Sequence, residues 1–113
     1  MAPLDAITKS RMQLALRQIA RHCRPAAAYL FGSQAEGRAN EWSDYDVAIF
    51  VRGAENWDLP QLARLCVQVQ KEAGNDIELH VFPETDFMHP EPASFAAYIM
   101  SHGIALPLEG KPE

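Results

Sequence analysis

The sequence has few cysteines and no long hydrophobic run. Two of its 113 residues are cysteines, Cys23 and Cys66, which excludes a disulfide scaffold and a four-cysteine zinc site. We expect both thiols to be reduced. The longest uninterrupted apolar stretch, Ala26 to Phe31, is far too short to cross a bilayer, and the first residues begin no signal-peptide pattern. We therefore expect a cytoplasmic protein with no membrane partner.

Length and composition predict one folded domain, residues 1–113. A chain of 113 residues is close to the commonest size of a single domain, which leaves almost no room for a second one. Its hydrophobic content of 48% with 22% charged residues excludes intrinsic disorder. We expect a modest hydrophobic core that needs no disulfide to be stable.

The charges are unevenly distributed. Before residue 25 the chain has five basic residues and one acidic residue, Asp5, whereas the remainder has five basic and 14 acidic residues. The acidic charge of the chain from residue 25 onward argues against nucleic acid as a general partner. A domain with this excess of acidic residues often needs cations. The early arginines could bind an acidic partner, but a solvated helix face explains them as well.

Hydrophobic periodicity predicts the order helix, strand, helix, strand, helix, strand, helix. The three strands cover residues 26–31, 44–51 and 77–82. A helix with Asp58 as its cap ends at Gly74, with a predicted buried stripe of Leu59, Leu62, Cys66, Val69 and Ala73. A last helix covers 92–102, and residues 104–108 form an extended tail. We expect an α/β (α+β) fold in which helices pack on a small mixed sheet of three to four strands.

The residues that best indicate a chemical function lie at the end of the first predicted strand and at the start of the second. Gly32-Ser33 follows the first strand, ten residues intervene, and Asp44-Tyr45-Asp46 opens the second. Glycine allows close backbone approach, and a serine that begins a helical turn offers donors to a phosphate oxygen. The carboxylates of Asp44 and Asp46, two apart on a strand, project from one face. Such a pair repels itself without a cation, and hard oxygen ligands suit Mg²⁺.

A third carboxylate from the next strand would allow two metal ions to be held. Glu78 is placed for this role, and Asp76 is the alternative because alternation places it on the same face. The Gly-Ser corner can meet the aspartates only if strands one and two are antiparallel. A right-handed helical crossover makes strands two and three parallel. The predicted sheet is therefore mixed.

These residues resemble the minimal nucleotidyltransferases of the DNA polymerase beta superfamily, whose signature is Gly-Ser, ten residues, then Asp-x-Asp. The resemblance extends over nearly the whole chain. It implies that Gly32 and Ser33 contact nucleotide phosphates, that Asp44, Asp46 and Glu78 are catalytic and bind two Mg²⁺ ions, and that ATP is the substrate. The family more often has Asp in place of Glu78. It also commonly has an arginine soon after the serine, and the resemblance makes Arg38 the residue that would replace it here in nucleotide binding.

The candidate site residues also have interpretations that involve no ligand. An isolated Asp-x-Asp is typical of a polar turn that opens a half-exposed strand, and Glu78 could lie on a solvated sheet face. His80 lies beside Glu78 in sequence, but neutral imidazole is a poor Mg²⁺ ligand, which favours a packing or hydrogen-bonding role.

The resemblance implies a specific function and partner. Stand-alone members of the family are typically antitoxins that neutralise a helical HEPN ribonuclease by transferring AMP from ATP to one of its tyrosines. Two alternatives stay open: a catalytically weak module that neutralises its partner by binding, and a small-molecule nucleotidyltransferase with a separate helical subunit. The sequence does not determine whether the chain forms homo- or hetero-oligomers.

Overall fold

Four strands pair into one mixed sheet in the computed structural model, which describes residues 4–108. They are β1 (Pro25–Phe31), β2 (Tyr45–Val51), β3 (Ile77–Pro83) and β4 (Ile104–Ala105), in the spatial order β3-β2-β1-β4. β1 is antiparallel to β2 and to β4, and β2 is parallel to β3. The mixed sheet with its predicted strand directions is confirmed. The ends of the predicted 1–113 domain lie outside the described residues.

The described residues form five α-helices, which are α1 (Ala6–Ala20), α2 (Ser33–Glu36), α3 (Leu59–Ala73), α4 (Glu84–Met88) and α5 (Phe95–His102). Asp5, Asp58 and Ser94 each cap a helix by accepting a hydrogen bond from a backbone N–H three residues later. α5 begins at Phe95 because Ser94 is its cap, three residues later than the sequence predicted. α4, directly after Pro83, was not predicted. No described helix is long and apolar enough to span a membrane.

Helices cover both faces of the sheet. One face packs Val47, Ile49 and Val51 of β2 into a cluster with apolar residues of α1 and α3. The opposite face packs Ala48 and Phe50 of the same strand against residues of α5 and neighbouring aromatics. We refer to these as the α1/α3 face and the α5 face. β2 is therefore buried on both sides, which explains its nearly continuous run of apolar residues.

The predicted buried stripe of α3 was wrong in part. Leu65, Val69 and Ala73 are the residues of α3 that are buried, and their spacing of four places them on one side of the helix. Leu59 is exposed, because it begins the helix and lies outside that stripe. Cys66 and Cys23 are partly buried free thiols, and burial raises the pKa of Cys23 to about 11.

One ion pair ties the start of β3 to the helical layer of the α1/α3 face. Both oxygens of the Asp76 carboxylate accept hydrogen bonds from the Arg11 guanidinium, and Arg11 Nε donates to the carbonyl of Ala73 at 3.0 Å. The same guanidinium lies 4.6 Å from the ring centre of Tyr45. The hydrogen bonds from Arg11 lower the pKa of Asp76. Asp76 is therefore a structural residue that joins α1, α3 and the sheet.

We predict that Asp76→Asn lowers the free energy of unfolding by about 1 kcal/mol at pH 7, since the pair is bidentate but partly solvated. Because folding lowers the pKa of Asp76, its stabilising contribution is present above its ordinary value of 3.8 and disappears as the pH falls through the lower folded value. Urea denaturation of both proteins from pH 7 downward measures this. The exposed Glu91→Gln serves as the control. Equal stability of the Asp76→Asn variant and the unchanged protein at pH 7 would contradict this prediction.

Candidate metal and nucleotide site

The candidate site lies on the α5 face, where the end of β1 meets the starts of β2 and β3. The pairing register sets Phe31 opposite Asp46 and Asp46 opposite Glu78. Side chains that pair directly across neighbouring strands lie on the same face. Asp46 and Glu78, 32 residues apart in the sequence, are thus adjacent because the β2–α3–β3 crossover returns β3 parallel to β2.

Three side chains converge at this point: Asp46, Glu78 and His80. Their ligand atoms all lie within 4.8 Å of one another. His80 Nε2 is 3.3 Å from Asp46 Oδ1 and 3.8 Å from Glu78 Oε1. The side chains of Asp46 and His80 are 25% and 27% exposed and that of Glu78 is 57% exposed. The group is therefore partly buried at Asp46 and His80 and open to solvent at Glu78.

Two of the three separations between the donor atoms of this group lie in the range that a divalent ion requires. An octahedral ion with ligands at about 2.1 Å holds neighbouring donors about 3 Å apart and opposite donors about 4.2 Å apart. The separations of His80 Nε2 from Asp46 Oδ1 and Glu78 Oε1, 3.3 and 3.8 Å, lie within this range, and the Asp46 and Glu78 oxygens lie within 4.8 Å of each other. Two carboxylate oxygens and an imidazole nitrogen are also chemically suited to a dication. Asp46, Glu78 and His80 together fit one such ion.

The Gly-Ser corner borders the Asp46 carboxylate. Gly32 has φ +76° and ψ −156°, a conformation that is essentially restricted to glycine. A Cβ atom added to Gly32 would lie 2.5 Å from Asp46 Oδ2. Glycine is thus required both by the backbone angle and by the closeness of the carboxylate. Ser33 follows Gly32 directly as the first residue of α2, and its phosphate-binding role stays a prediction.

Two other predicted residues lie outside the Asp46–Glu78–His80 group. Asp44 is exposed and precedes the first residue of β2. Arg38 follows Gly37, the C-terminal cap of α2, and its guanidinium donates to Glu36 Oε2 at 3.2 Å. Glu36 also accepts a bond of 2.7 Å from the Tyr98 hydroxyl. That bond is the main cause of a lowered pKa of Glu36 and a raised pKa of Tyr98. The nucleotide role of Arg38 and the ligand role of Asp44 stay predictions.

The alternative third ligand, Asp76, was assigned to the wrong face. Its carboxylate is held by Arg11, which belongs to α1 on the α1/α3 face. Alternation did not extend to Asp76 because it precedes the first residue of β3. Glu78, inside the strand, is the acidic residue of β3 that lies beside Asp46.

His80 is the member of the group that the sequence analysis did not include in the site. Its ring packs edge-on against Phe31, with centroids 5.0 Å apart, and more distantly against Phe95. Its Nε2 also lies 3.3 Å from Asp46 Oδ1, so the predicted packing or hydrogen-bonding role is confirmed. The signal was present in the sequence, because alternation places Glu78 and His80 on one face of β3.

We predict that Gly32→Ala destabilises the fold by about 2 kcal/mol through backbone strain and weakens divalent-ion binding because the new methyl group displaces Asp46. Gly37→Ala is the matched control: its φ is +74° and nothing lies within 4 Å of the added Cβ. It therefore tests the milder strain of a left-handed backbone without displacement of a ligand. Urea denaturation measures stability, and water-proton relaxation with Mn²⁺ measures binding. Unchanged Mn²⁺ affinity in Gly32→Ala would contradict the displacement of Asp46.

Comparison with known proteins identifies a family. The family model described as "Polymerase beta, Nucleotidyltransferase" matches residues 15–107. A solved structure from Sulfolobus solfataricus, described as a candidate nucleotidyltransferase, is 15% identical with a TM-score of 0.46, and the match covers 78% of this chain and 83% of that one. No curated protein matches the chain. Because the family model spans most of the sequence, including the Gly-Ser corner and all three strands that form the site, the chain belongs to the polymerase beta nucleotidyltransferase family.

Proposed function

We propose that this nucleotidyltransferase domain transfers AMP from ATP to a tyrosine hydroxyl of a helical HEPN-type toxin and thereby acts as its antitoxin. The observation that carries the catalytic part of this proposal is the convergence of Asp46, Glu78 and Gly32 at one corner of the sheet. The choice of partner rests on the resemblance to stand-alone members of the family.

The reaction is a displacement at the α-phosphorus of ATP. A bond forms between the acceptor oxygen and the α-phosphorus, the bond to the β,γ-pyrophosphate breaks, and the hydroxyl proton passes to solvent. Two Mg²⁺ ions, when bound, would supply charge stabilisation at the attacking and leaving oxygens. Asp46 and Glu78 would hold one of them, and Asp44 would join Asp46 in holding the other when substrate phosphates are bound.

The remaining chain residues orient the substrate. The backbone of Gly32 and the hydroxyl of Ser33 would contact the triphosphate beside Asp46, and the glycine would allow its close approach. Arg38 lies at the opposite end of α2 and would contact the nucleotide only after release from Glu36. Phosphate binding by this chain therefore depends mainly on the Gly-Ser corner.

A second candidate function is neutralisation by binding alone. Two observations favour it: Asp44 lies outside the converged group, and Arg38 is paired with Glu36. A site that is not fully assembled would hold a nucleotide without rapid turnover. A toxin partner would then be blocked by contact with the domain.

We predict that Asp46→Asn lowers label transfer from α-labelled ATP to the partner by at least about a hundredfold, since loss of a metal-binding charge costs several kcal/mol of transition-state stabilisation. The assay uses the full chain, Mg²⁺ and a purified HEPN-type protein encoded by a neighbouring gene. Glu91→Gln is a control for loss of an exposed carboxylate. Toxin neutralisation that persists without any label transfer would support the binding function instead.

We also predict opposite outcomes for the two acidic residues at the start of β3. Glu78→Gln should lower transfer by a similar factor because it removes a carboxylate from the converged group. Asp76→Asn should retain transfer within about threefold after correction for folded fraction, since its energetic effect lies in stability. Initial rates of label transfer measure both. Loss of transfer in Asp76→Asn together with its retention in Glu78→Gln would contradict the assignment of Glu78.

A further inference from the structure

An imidazole nitrogen lies between the two carboxylates of the candidate site. His80 Nε2 is within 4 Å of both Asp46 Oδ1 and Glu78 Oε1. The position is fixed by packing, because the ring lies edge-on to Phe31 and Phe95. Phe95 in turn contacts Phe31 and Phe82. The ring is thus held by an aromatic wall with its Nε2 atom directed toward the carboxylates.

Imidazole in this position changes which ions the site prefers. Mg²⁺ binds carboxylate, carbonyl and water oxygens, whereas imidazole suits first-row transition ions. Affinity for a site containing nitrogen rises along the series from Mn²⁺ to Cu²⁺. Manganese(II) shares the preference of Mg²⁺ for oxygen ligands and also accepts nitrogen. A group of two carboxylates and one imidazole therefore favours a transition dication over Mg²⁺.

We propose that His80 Nε2 is a metal ligand, and that the Asp46–Glu78–His80 group selects a first-row transition dication such as Mn²⁺ over Mg²⁺. This inference deepens the proposed function, since it replaces one of the two Mg²⁺ ions by a transition dication, and it rests on that function for its catalytic meaning. The binding itself requires only the geometry of the three side chains.

The alternative hypothesis is that His80 only positions the Asp46 carboxylate. In that case Nε2 would donate a hydrogen bond to Asp46 Oδ1, which lies at 3.3 Å, and would orient the carboxylate without contacting the ion. Activity alone does not separate the two roles, because either one is lost on substitution. Direct detection of the nitrogen beside the metal does separate them.

The test is pulsed electron paramagnetic resonance of the full chain loaded with Mn²⁺, without nucleotide. We expect modulation from one directly bound ¹⁴N nucleus. His80→Gln should abolish that modulation and lower the ratio of Mn²⁺ to Mg²⁺ affinity, measured by competition, by about tenfold. His89→Gln is the matched control, since His89 is an exposed histidine beyond α4, and it should retain both properties. Absence of ¹⁴N modulation in the unchanged protein, or its persistence in His80→Gln, would overturn the proposal.

A second measurement needs no variant and covers the case in which His80→Gln does not fold. With ¹⁵N-labelled histidine, sub-stoichiometric Mn²⁺ should broaden the ring signals of one of the four histidines far more than the others. Assignment of that signal to His80 supports the proposal, and its assignment to another histidine overturns it. Because neither measurement uses ATP or a partner, a failed AMP-transfer assay beside a positive Mn²⁺ result would reject the proposed function and leave this inference standing.

Discussion

The lateral register of β1, β2 and β3 is the constraint on which the site depends. Asp46 lies between Phe31 on one neighbouring strand and Glu78 on the other. A shift of one residue in either pairing would send a carboxylate to the opposite face, where Val47 and Ile49 are buried. The cost of burying a charge in that apolar layer therefore fixes the register. The hydrophobic core of the α1/α3 face holds the acidic group of the α5 face in place.

Much of this arrangement is predictable from the sequence because its rules are local. Strand alternation places Glu78 and His80 on one face, and the requirement that the Gly-Ser corner meet the aspartates predicts the antiparallel β1–β2 pair. Asp58 and Gly74 define α3 through capping and termination. Each of these patterns depends on a few neighbouring residues, so a single sequence is enough to recognise it.

The parts that escaped prediction depend on contacts between distant residues. Arg11 is 65 residues from Asp76, and no local pattern indicates that this pair sets the direction of the Asp76 carboxylate. The burial of Leu65 in place of Leu59 depends on where the sheet lies beneath α3. The position of Asp44 outside the converged group depends on the path of the polar loop before β2, and His80 becomes a site residue only when Phe31 and Phe95 hold its ring.

The exposed position of Phe95 has a consequence for cation affinity. It is 50% exposed, and its ring packs against His80 at the margin of the acidic group. Any macromolecule that seats on this ring excludes water from the nearby carboxylates, which reduces the local dielectric screening and strengthens their attraction for a cation. Linkage is reciprocal, so a bound cation strengthens the seating of that macromolecule by the same factor. Docking on Phe95 and ion uptake at the carboxylates would thus be cooperative, because both displace the same solvent.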